Sequence, residues 1–152
     1  MRNLVTQYVE DVYIEGLQEG GLSPDDMTAA DAQNIDRLNA RQQDYISGFT
    51  LSARLATDEV TKQAILDRID LWTESIYAAG QSGWTAALQR KKKMVQWHAA
   101  NDDFMDKEGL CASLNNKIVY AGESFGEGFN GEPIYHEPAH FGCRCTTTEY
   151  IP

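Results

Sequence analysis

Near its C-terminus the chain reads Ile134-Tyr135-His136-Glu137-Pro138-Ala139-His140-Phe141-Gly142-Cys143-Arg144-Cys145. This segment holds two of the three histidines and two of the three cysteines of a 152-residue protein. Histidine and cysteine at this density are typical of metal sites and of disulfide frameworks. The fold of the C-terminal part is therefore expected to depend on what these side chains bind.

A catalytic interpretation comes from His136 to His140, which spell the zinc-protease motif H-E-x-x-H. That motif works on a helix, where positions i and i+4 aim both imidazoles at one metal ion. Pro138 inside the motif disfavours helical dihedrals at Glu137, so the match is interpreted as coincidental. A small metal-dependent hydrolase that uses His136, Glu137 and His140 is kept as an alternative.

A structural interpretation uses Cys111, His140, Cys143 and Cys145 as the four ligands of a structural zinc ion. In an extended chain the side chains of Cys143 and Cys145 leave the same face, and His140 precedes them in a loop rich in proline and glycine. Zinc takes four such ligands in a tetrahedron, at about 2.0 to 2.3 Å. The alternative is a set of reduced thiols without an ion, since cysteine also behaves as a small hydrophobic residue.

Composition places the chain among soluble globular proteins, with 42% hydrophobic and 24% charged residues. No apolar run approaches the roughly 20 residues that span a bilayer, and the N-terminus lacks the apolar core of a signal peptide, so we expect no membrane partner and maturation in the cytoplasm. In a reducing compartment, three cysteines favour metal binding or free thiols over disulfides.

The formal net charge is −10, and most of it lies in the first half of the chain. Residues 1–80 contain 14 acidic and 6 basic residues, a net charge of −8. Such a chain is poorly suited to binding duplex DNA through its phosphates. The one basic cluster, Arg90-Lys91-Lys92-Lys93, is expected to be a solvated helix end, where cations complement the helix dipole. A weak contact with nucleic acid is the alternative use of these four residues.

Apolar residues at three- and four-residue steps predict a helix over 3–19, which Gly20-Gly21 should end. A second helix is predicted from Ala29 into the region 51–55, with Thr28 as its N-cap and Asp31 completing an approximate capping box. The pattern restarts at Thr57. Glycines in the range 80–83 are expected to break or kink this third helix and leave a fourth, shorter piece that ends at the basic cluster.

Beyond Lys93 the pattern changes to short strands and turns. Strands are predicted at 94–99, 117–120 and 143–150, with a turn at 101–103 and a flexible glycine-rich loop over 122–131. The predicted fold class is α+β. An acidic helical region, 1–93, precedes a small, loop-rich, β-containing C-terminal module, 94–152, which should need a metal or the helices for support because it is so small.

The C-terminal module resembles the C-terminal signature of the Mu F-like head-morphogenesis family, the minor head proteins of tailed phages. The family pattern is a tryptophan strand with an acidic turn, a cysteine-containing turn before Leu-(Asp/Asn)-Gly-Lys, a glycine-rich loop and a close of Pro-x-His-x-x-Cys-Arg-Cys-Thr. The matching residues are Trp97 with 101–103, Cys111 with 114–117, and 138–146. Two departures stand out. Glu108 takes the place of a first cysteine in many relatives. If the family pair binds metal, the remaining four ligands are Cys111, His140, Cys143 and Cys145, with His98 and His136 as substitutes. Asn116 stands where a glycine is usual, and asparagine can still adopt the left-handed conformation.

The resemblance implies a non-catalytic minor head protein near the portal, acting in capsid assembly and in DNA packaging or ejection. The implied partners are the portal protein and the major capsid protein, within a larger assembly. The implied location is the virion head, after assembly in the host cytoplasm. A stand-alone zinc-binding adaptor is a further alternative to this role.

Overall fold

The computed structural model describes residues 2–55, 59–100, 109–136, 139 and 144–152. The predicted α+β class is confirmed, because long helices come first and a small antiparallel sheet follows them. The helices are α1 (Arg2–Glu19), α2 (Ala29–Leu55), α3 (Glu59–Arg90) and the short α4 (Leu110–Leu114), with a 3-10 turn (Pro24–Asp26) between α1 and α2. The strands are β1 (Met94–His98), β2 (Ile118–Tyr120), β3 (Gly126–Glu127), β4 (Pro133–Ile134) and β5 (Thr146–Tyr150).

The first helix ends where the glycines predict. Gly21 has a φ of 78°, in the left-handed region that favours glycine. Its N–H donates to the carbonyl of Gln18 at 2.8 Å, and the N–H of Leu22 donates to the carbonyl of Leu17 at 3.0 Å. These two bonds form a Schellman motif, which satisfies carbonyls that the helix end would otherwise leave without a donor.

The predicted break at residues 80–83 is wrong, because α3 continues without interruption to Arg90. The glycines serve the packing of α3 against α1. A Cβ on Gly16 would overlap the carbonyl oxygen of Gly80, and a Cβ on Gly83 would overlap the carbonyl oxygen of Tyr13. The two helices therefore meet backbone to backbone. Glycine inside a helix costs about 1 kcal/mol relative to alanine, and the close contact between the helices offsets this cost.

A buried core joins α1, α2 and α3. From α1 it takes residues at strict four-residue spacing, as the amphipathic pattern predicts. Its buried members are Val5, Val9, Tyr13, Leu17, Ile35, Leu38, Ala79 and Ala87. The second helix enters this core through Ile35 and Leu38, and Ile46 packs against the cluster while half-buried. The side chains of Tyr45 and Phe49, which the same pattern places on this face, lie outside the described residues.

Asp31 connects all three long helices at one end of this core. It is 1% exposed, and it accepts hydrogen bonds from the Tyr13 hydroxyl of α1 at 2.8 Å and from the Arg90 guanidinium of α3. The predicted capping pair is confirmed in one half, since the Thr28 N–H donates to Asp31 Oδ2 at 2.7 Å. The Thr28 hydroxyl donates to the same oxygen at 2.7 Å. A single carboxylate thus serves as helix cap, ion-pair partner and acceptor for a buried phenol.

This arrangement shifts two pKa values in opposite directions. Burial alone would raise the pKa of Asp31, but the hydrogen bonds from Thr28, Tyr13 and Arg90 outweigh it and lower that pKa below its usual value. Burial, reinforced by the hydrogen bond to Asp31, raises the pKa of Tyr13 to about 12. The folded state therefore favours a charged Asp31 and a neutral Tyr13.

The three-stranded sheet has the order β2-β1-β5, with both pairings antiparallel. Val95 lies opposite Val119 and Glu149, and Trp97 lies opposite Thr147. The strands predicted at 94–99 and 117–120 are confirmed, and the last one begins at Thr146 rather than at 143. The turn predicted at 101–103 lies outside the described residues.

The glycine-rich segment 122–131 is more ordered than the glycines predict. Its Gly126–Glu127 pair forms β3, which pairs with Pro133–Ile134 in an antiparallel hairpin. Gly122 and Gly131 have φ values of 88° and 79°, so these two glycines supply turn conformations that other residues rarely adopt. The prediction of a flexible loop over the whole segment is therefore wrong for Gly126–Glu127, which forms β3.

A second buried core lies under the sheet and includes a residue of α3. Its members are Leu88, Val95, Trp97, Cys111, Leu114, Ala121, Phe125, Ile134 and Cys145, with Trp84 of α3 packed against them. The last turns of α3 therefore take part in both cores, through Ala87 in the first and Leu88 in the second. The division into 1–93 and 94–152 stays a prediction. The helices do contact the C-terminal module, because Leu88 of α3 belongs to its core.

Among the described residues, no helix combines the length and the apolar character that crossing a membrane requires.

Candidate functional site

The residues that carry the head-protein resemblance are far apart in sequence and meet in the second core. Trp97 comes from β1, Cys111 and Leu114 from α4, and Cys145 from the residue before β5. All four side chains are at most 4% exposed. The pattern therefore describes one packed unit, in which each segment contributes a buried side chain.

Trp97 is the largest side chain in this unit and is fully buried. Its ring meets the ring of Phe125 edge to face, with the centroids 5.2 Å apart and the planes at 66°, a favoured aromatic geometry. Its indole N–H finds no acceptor among the described residues. An unpaired buried donor costs about 1 to 3 kcal/mol, so an acceptor brought to this position would stabilise the core.

The turn after α4 is held against β1 by backbone hydrogen bonds. Asn116 has a φ of 62°, so it adopts the left-handed conformation that the sequence predicts for it. Its N–H donates to the Trp97 carbonyl at 2.8 Å, and the Trp97 N–H donates to the Lys117 carbonyl at 2.9 Å. Lys117 then reaches the Phe125 carbonyl through Nζ at 3.0 Å. The turn thereby fixes α4, and with it Cys111, against the strand that carries Trp97.

Two of the four predicted metal ligands lie in this core. Cys111 and Cys145 are 3% and 4% exposed and belong to the same buried cluster, so the fold places in one core two cysteines that are 34 residues apart. His140 and Cys143 lie outside the described residues. Among the residues that are described, no three histidine, cysteine, aspartate or glutamate side chains gather as a metal site. Two buried cysteines in one core fit both a half-complete zinc site and a pair of packed thiols.

The other two histidines hold hydrogen bonds. His136 Nε2 lies 3.1 Å from Ser82 Oγ of α3. Because the Ser82 hydroxyl donates to the Ala78 carbonyl at 2.9 Å, its oxygen is the acceptor for an N–H at His136 Nε2. His98 Nε2 lies 2.8 Å from Thr148 Oγ1 of β5. The sequence had offered both histidines as substitute ligands, and in each the ring nitrogen Nε2 already has a partner.

The backbone around H-E-x-x-H departs from the helix that a zinc protease needs. The strand β4 ends at Ile134, and His136 and Ala139 both lie in bends. Glu137, Pro138 and His140 lie outside the described residues. At its described positions the segment therefore connects β4 to α3 through the His136–Ser82 bond, a contact that the sequence pattern did not predict.

The basic cluster is largely engaged within the protein. Arg90 bonds to Asp31 and donates to the Asp26 carbonyl at 2.9 Å, while Lys91 Nζ donates to the Gly20 carbonyl at 2.8 Å. Lys93 pairs with Glu149 of β5 at 2.7 Å. The prediction that the cluster ends a helix is confirmed, and Lys91 neutralises a carbonyl at the C-terminal end of α1. The predicted contact of these residues with DNA stays a prediction.

No family model, curated protein or solved structure matches this chain.

Proposed function

We propose that this chain is a non-catalytic structural protein of a tailed-phage head, acting near the portal in capsid assembly and in DNA packaging or ejection. The observation that carries the proposal is the convergence of Trp97, Cys111, Leu114 and Cys145 on one buried core. A sequence resemblance spread over 50 residues gains weight when its residues form one physical unit, because chance matches have no reason to pack together.

The C-terminal module is the docking element in this proposal. The bond between His136 and Ser82 holds one of its loops on α3. The indole of Trp97 packs against Phe125, and the left-handed Asn116 fixes the turn after α4 against β1. A rigid module of this kind presents loops in a fixed arrangement, which reduces the entropy that ordering them on a partner would cost. The partners are the portal protein, the major capsid protein, or both, and the location is the virion head after assembly in the host cytoplasm.

A structural zinc ion is part of the proposal. Cys111 and Cys145 would hold it from within the core, and His140 and Cys143 would complete the tetrahedron. The ion would supply folding free energy to a module with a small core, and no catalytic step is assigned to it. Arg90, Lys91, Lys92 and Lys93 would touch packaged DNA only weakly, because three of them already have partners in the protein.

The proposal is tested by removing the gene from the phage that encodes it and supplying the protein from a plasmid. We expect the deletion to lower the yield of DNA-filled heads seen by electron microscopy, and wild-type protein to restore it. Protein with Glu137→Gln should restore it equally well, because no general base is needed. A peptidase activity lost with Glu137→Gln, together with failed restoration, would favour the hydrolase alternative.

A further inference from the structure

A groove of about 170 Å³ on the protein surface follows the contact between α1 and α3. It is lined by Val12, Glu15, Gly16, Glu19, Tyr77, Gly80 and Gln81. The backbones of the two helices touch here, since a Cβ on Gly16 would overlap the carbonyl oxygen of Gly80, and these two glycines form the floor of the groove. The contact between the helices and the lining of the groove therefore share the same two glycines.

The lining combines apolar and anionic groups. Val12, the two glycines and the ring of Tyr77 provide the apolar part, and Tyr77 remains 46% exposed. Glu15 and Glu19 form the rim and are exposed. Within the described part of the chain, neither carboxylate has an ion-pair or hydrogen-bond partner. The sequence of α1 from residue 3 to residue 19 contains four acidic residues and no basic one, so no neighbour on this helix neutralises them.

We propose that this groove binds an arginine or lysine side chain projecting from a basic segment of another protein. The aliphatic stem of that residue would cover Val12 and the glycine floor, as long cationic side chains do on apolar surfaces. Its charged end would meet Glu15 and Glu19 and lie against the Tyr77 ring, which attracts cations through its π face.

Size and charge disfavour other occupants. A groove of about 170 Å³ is smaller than the roughly 300 to 1,000 Å³ of sites for small-molecule ligands, and it suits a single side chain. Nucleic acid would be repelled by the two carboxylates. A second copy would bring another chain of net charge −10, and three of the four cations in its basic cluster are already engaged. The inference concerns any basic protein neighbour and so stands apart from the phage assignment.

The test uses the full chain and a fluorescently labelled, alanine-based helical peptide with two arginines four residues apart. Binding is followed by fluorescence anisotropy at about 50 mM salt, where surface charge is only partly screened. We expect the arginine peptide to bind and its glutamine counterpart to bind at least about tenfold more weakly. Glu15→Gln/Glu19→Gln should weaken binding of the arginine peptide at least about fivefold, from the loss of two ion pairs.

The matched control is Glu10→Gln/Asp36→Asn, which removes the same charge from exposed positions outside the groove. It should change the affinity less than about twofold. Equal losses in the two variants would mean that net charge alone attracts the peptide and would overturn the groove. Equal affinity for the glutamine peptide would also overturn it. A dimer in sedimentation that Glu15→Gln/Glu19→Gln dissociates would replace the basic partner with a second copy.

Discussion

Gly16 of α1 faces Gly80 of α3 so closely that a Cβ on Gly16 would lie 2.9 Å from both the carbonyl carbon of Gly80 and the backbone nitrogen of Trp84. Gly83 stands in the same relation to Tyr13, where an added Cβ would lie 3.0 Å from the carbonyl carbon. In both cases the obstacle is backbone, which cannot turn away as a side chain can. The helix pair is therefore organised around positions that tolerate glycine alone.

Gly16→Ala should lower the free energy of unfolding by about 2 kcal/mol or more, although alanine is the better helix former by about 1 kcal/mol. The cost arises because α1 must move away from α3 to admit the methyl group. Urea unfolding followed by circular dichroism measures it. Glu10→Ala, at an exposed position of the same helix, is the control and should change the stability by less than about 0.5 kcal/mol. A stabilised Gly16→Ala variant would show that the backbones do not touch.

Asp31→Asn should destabilise the protein by about 2 to 3 kcal/mol at pH 7, because it leaves Arg90 and the Tyr13 hydroxyl without their anionic partner. Asp36→Asn, at an exposed position of the same helix, is the matched control and should have almost no effect. Chemical unfolding at pH 7 checks both values.

The same pair of proteins gives a pH test. The pKa of Asp31 is lower in the folded chain than in the unfolded chain. Its contribution to stability is therefore present above the unfolded pKa of about 3.9 and is lost as the pH falls through the folded pKa. The stability difference between wild type and Asp31→Asn should accordingly shrink below about pH 4. A difference that stays constant down to pH 2 would contradict the lowered pKa.

Lys92→Gly should stabilise the protein by about 0.5 to 1 kcal/mol. Lys92 follows the last turn of α3 and takes part in a Schellman motif there. Its φ of 53° is in the left-handed region, which costs lysine more free energy than glycine. Gln89→Gly, three residues earlier and inside the helix, should have the opposite sign and lower the stability by about 1 kcal/mol. Thermal or urea unfolding of the two variants side by side distinguishes the two effects. A loss of stability in both would mean that the left-handed turn is not formed.

Zinc analysis of protein purified without chelators or a metal-affinity tag should give about one equivalent per chain, as a folding-coupled site implies. Cys145→Ser should lower the zinc content and loosen the C-terminal module, because it removes a ligand buried in the core. His98→Asn is the control, since His98 bonds to Thr148 on the sheet and is outside the proposed ligand set. Wild-type protein with less than about a tenth of an equivalent would leave Cys111 and Cys145 as packed thiols.

Local patterns in the sequence predicted local structure well. The C-terminal end of α1, the start of α2 with its pairing of Thr28 and Asp31, and the left-handed Asn116 all depend on residues within a few positions of one another. Their free energies are set by backbone geometry and nearby hydrogen bonds, so a short window of sequence contains the necessary information.

The wrong predictions concern residues whose partners lie far away in sequence. The glycines at 80 and 83 resemble a helix break until α1, more than 60 residues earlier, is placed against them. Arg90 is at a helix end as predicted, but its partner Asp31 is 59 residues away and was missed. At the candidate site, the sequence named Cys111 and Cys145 as candidate metal ligands, and the structure places both in one core. Nothing in the sequence indicated that Ser82 is the partner of His136. A mid-helix serine carries no local signal for such a contact.

The central claim is that this chain belongs to a virion head, and quantitative mass spectrometry of purified heads tests it most directly. Heads should be prepared from the phage that encodes the chain and washed at high salt, which removes proteins held only by surface charge. The account predicts that peptides from this chain remain, in a fixed ratio to the portal protein, in wild-type heads. In heads made with Cys143→Ser/Cys145→Ser protein they should be depleted. Absence of the chain from wild-type heads that contain the portal and the major capsid protein would contradict the account.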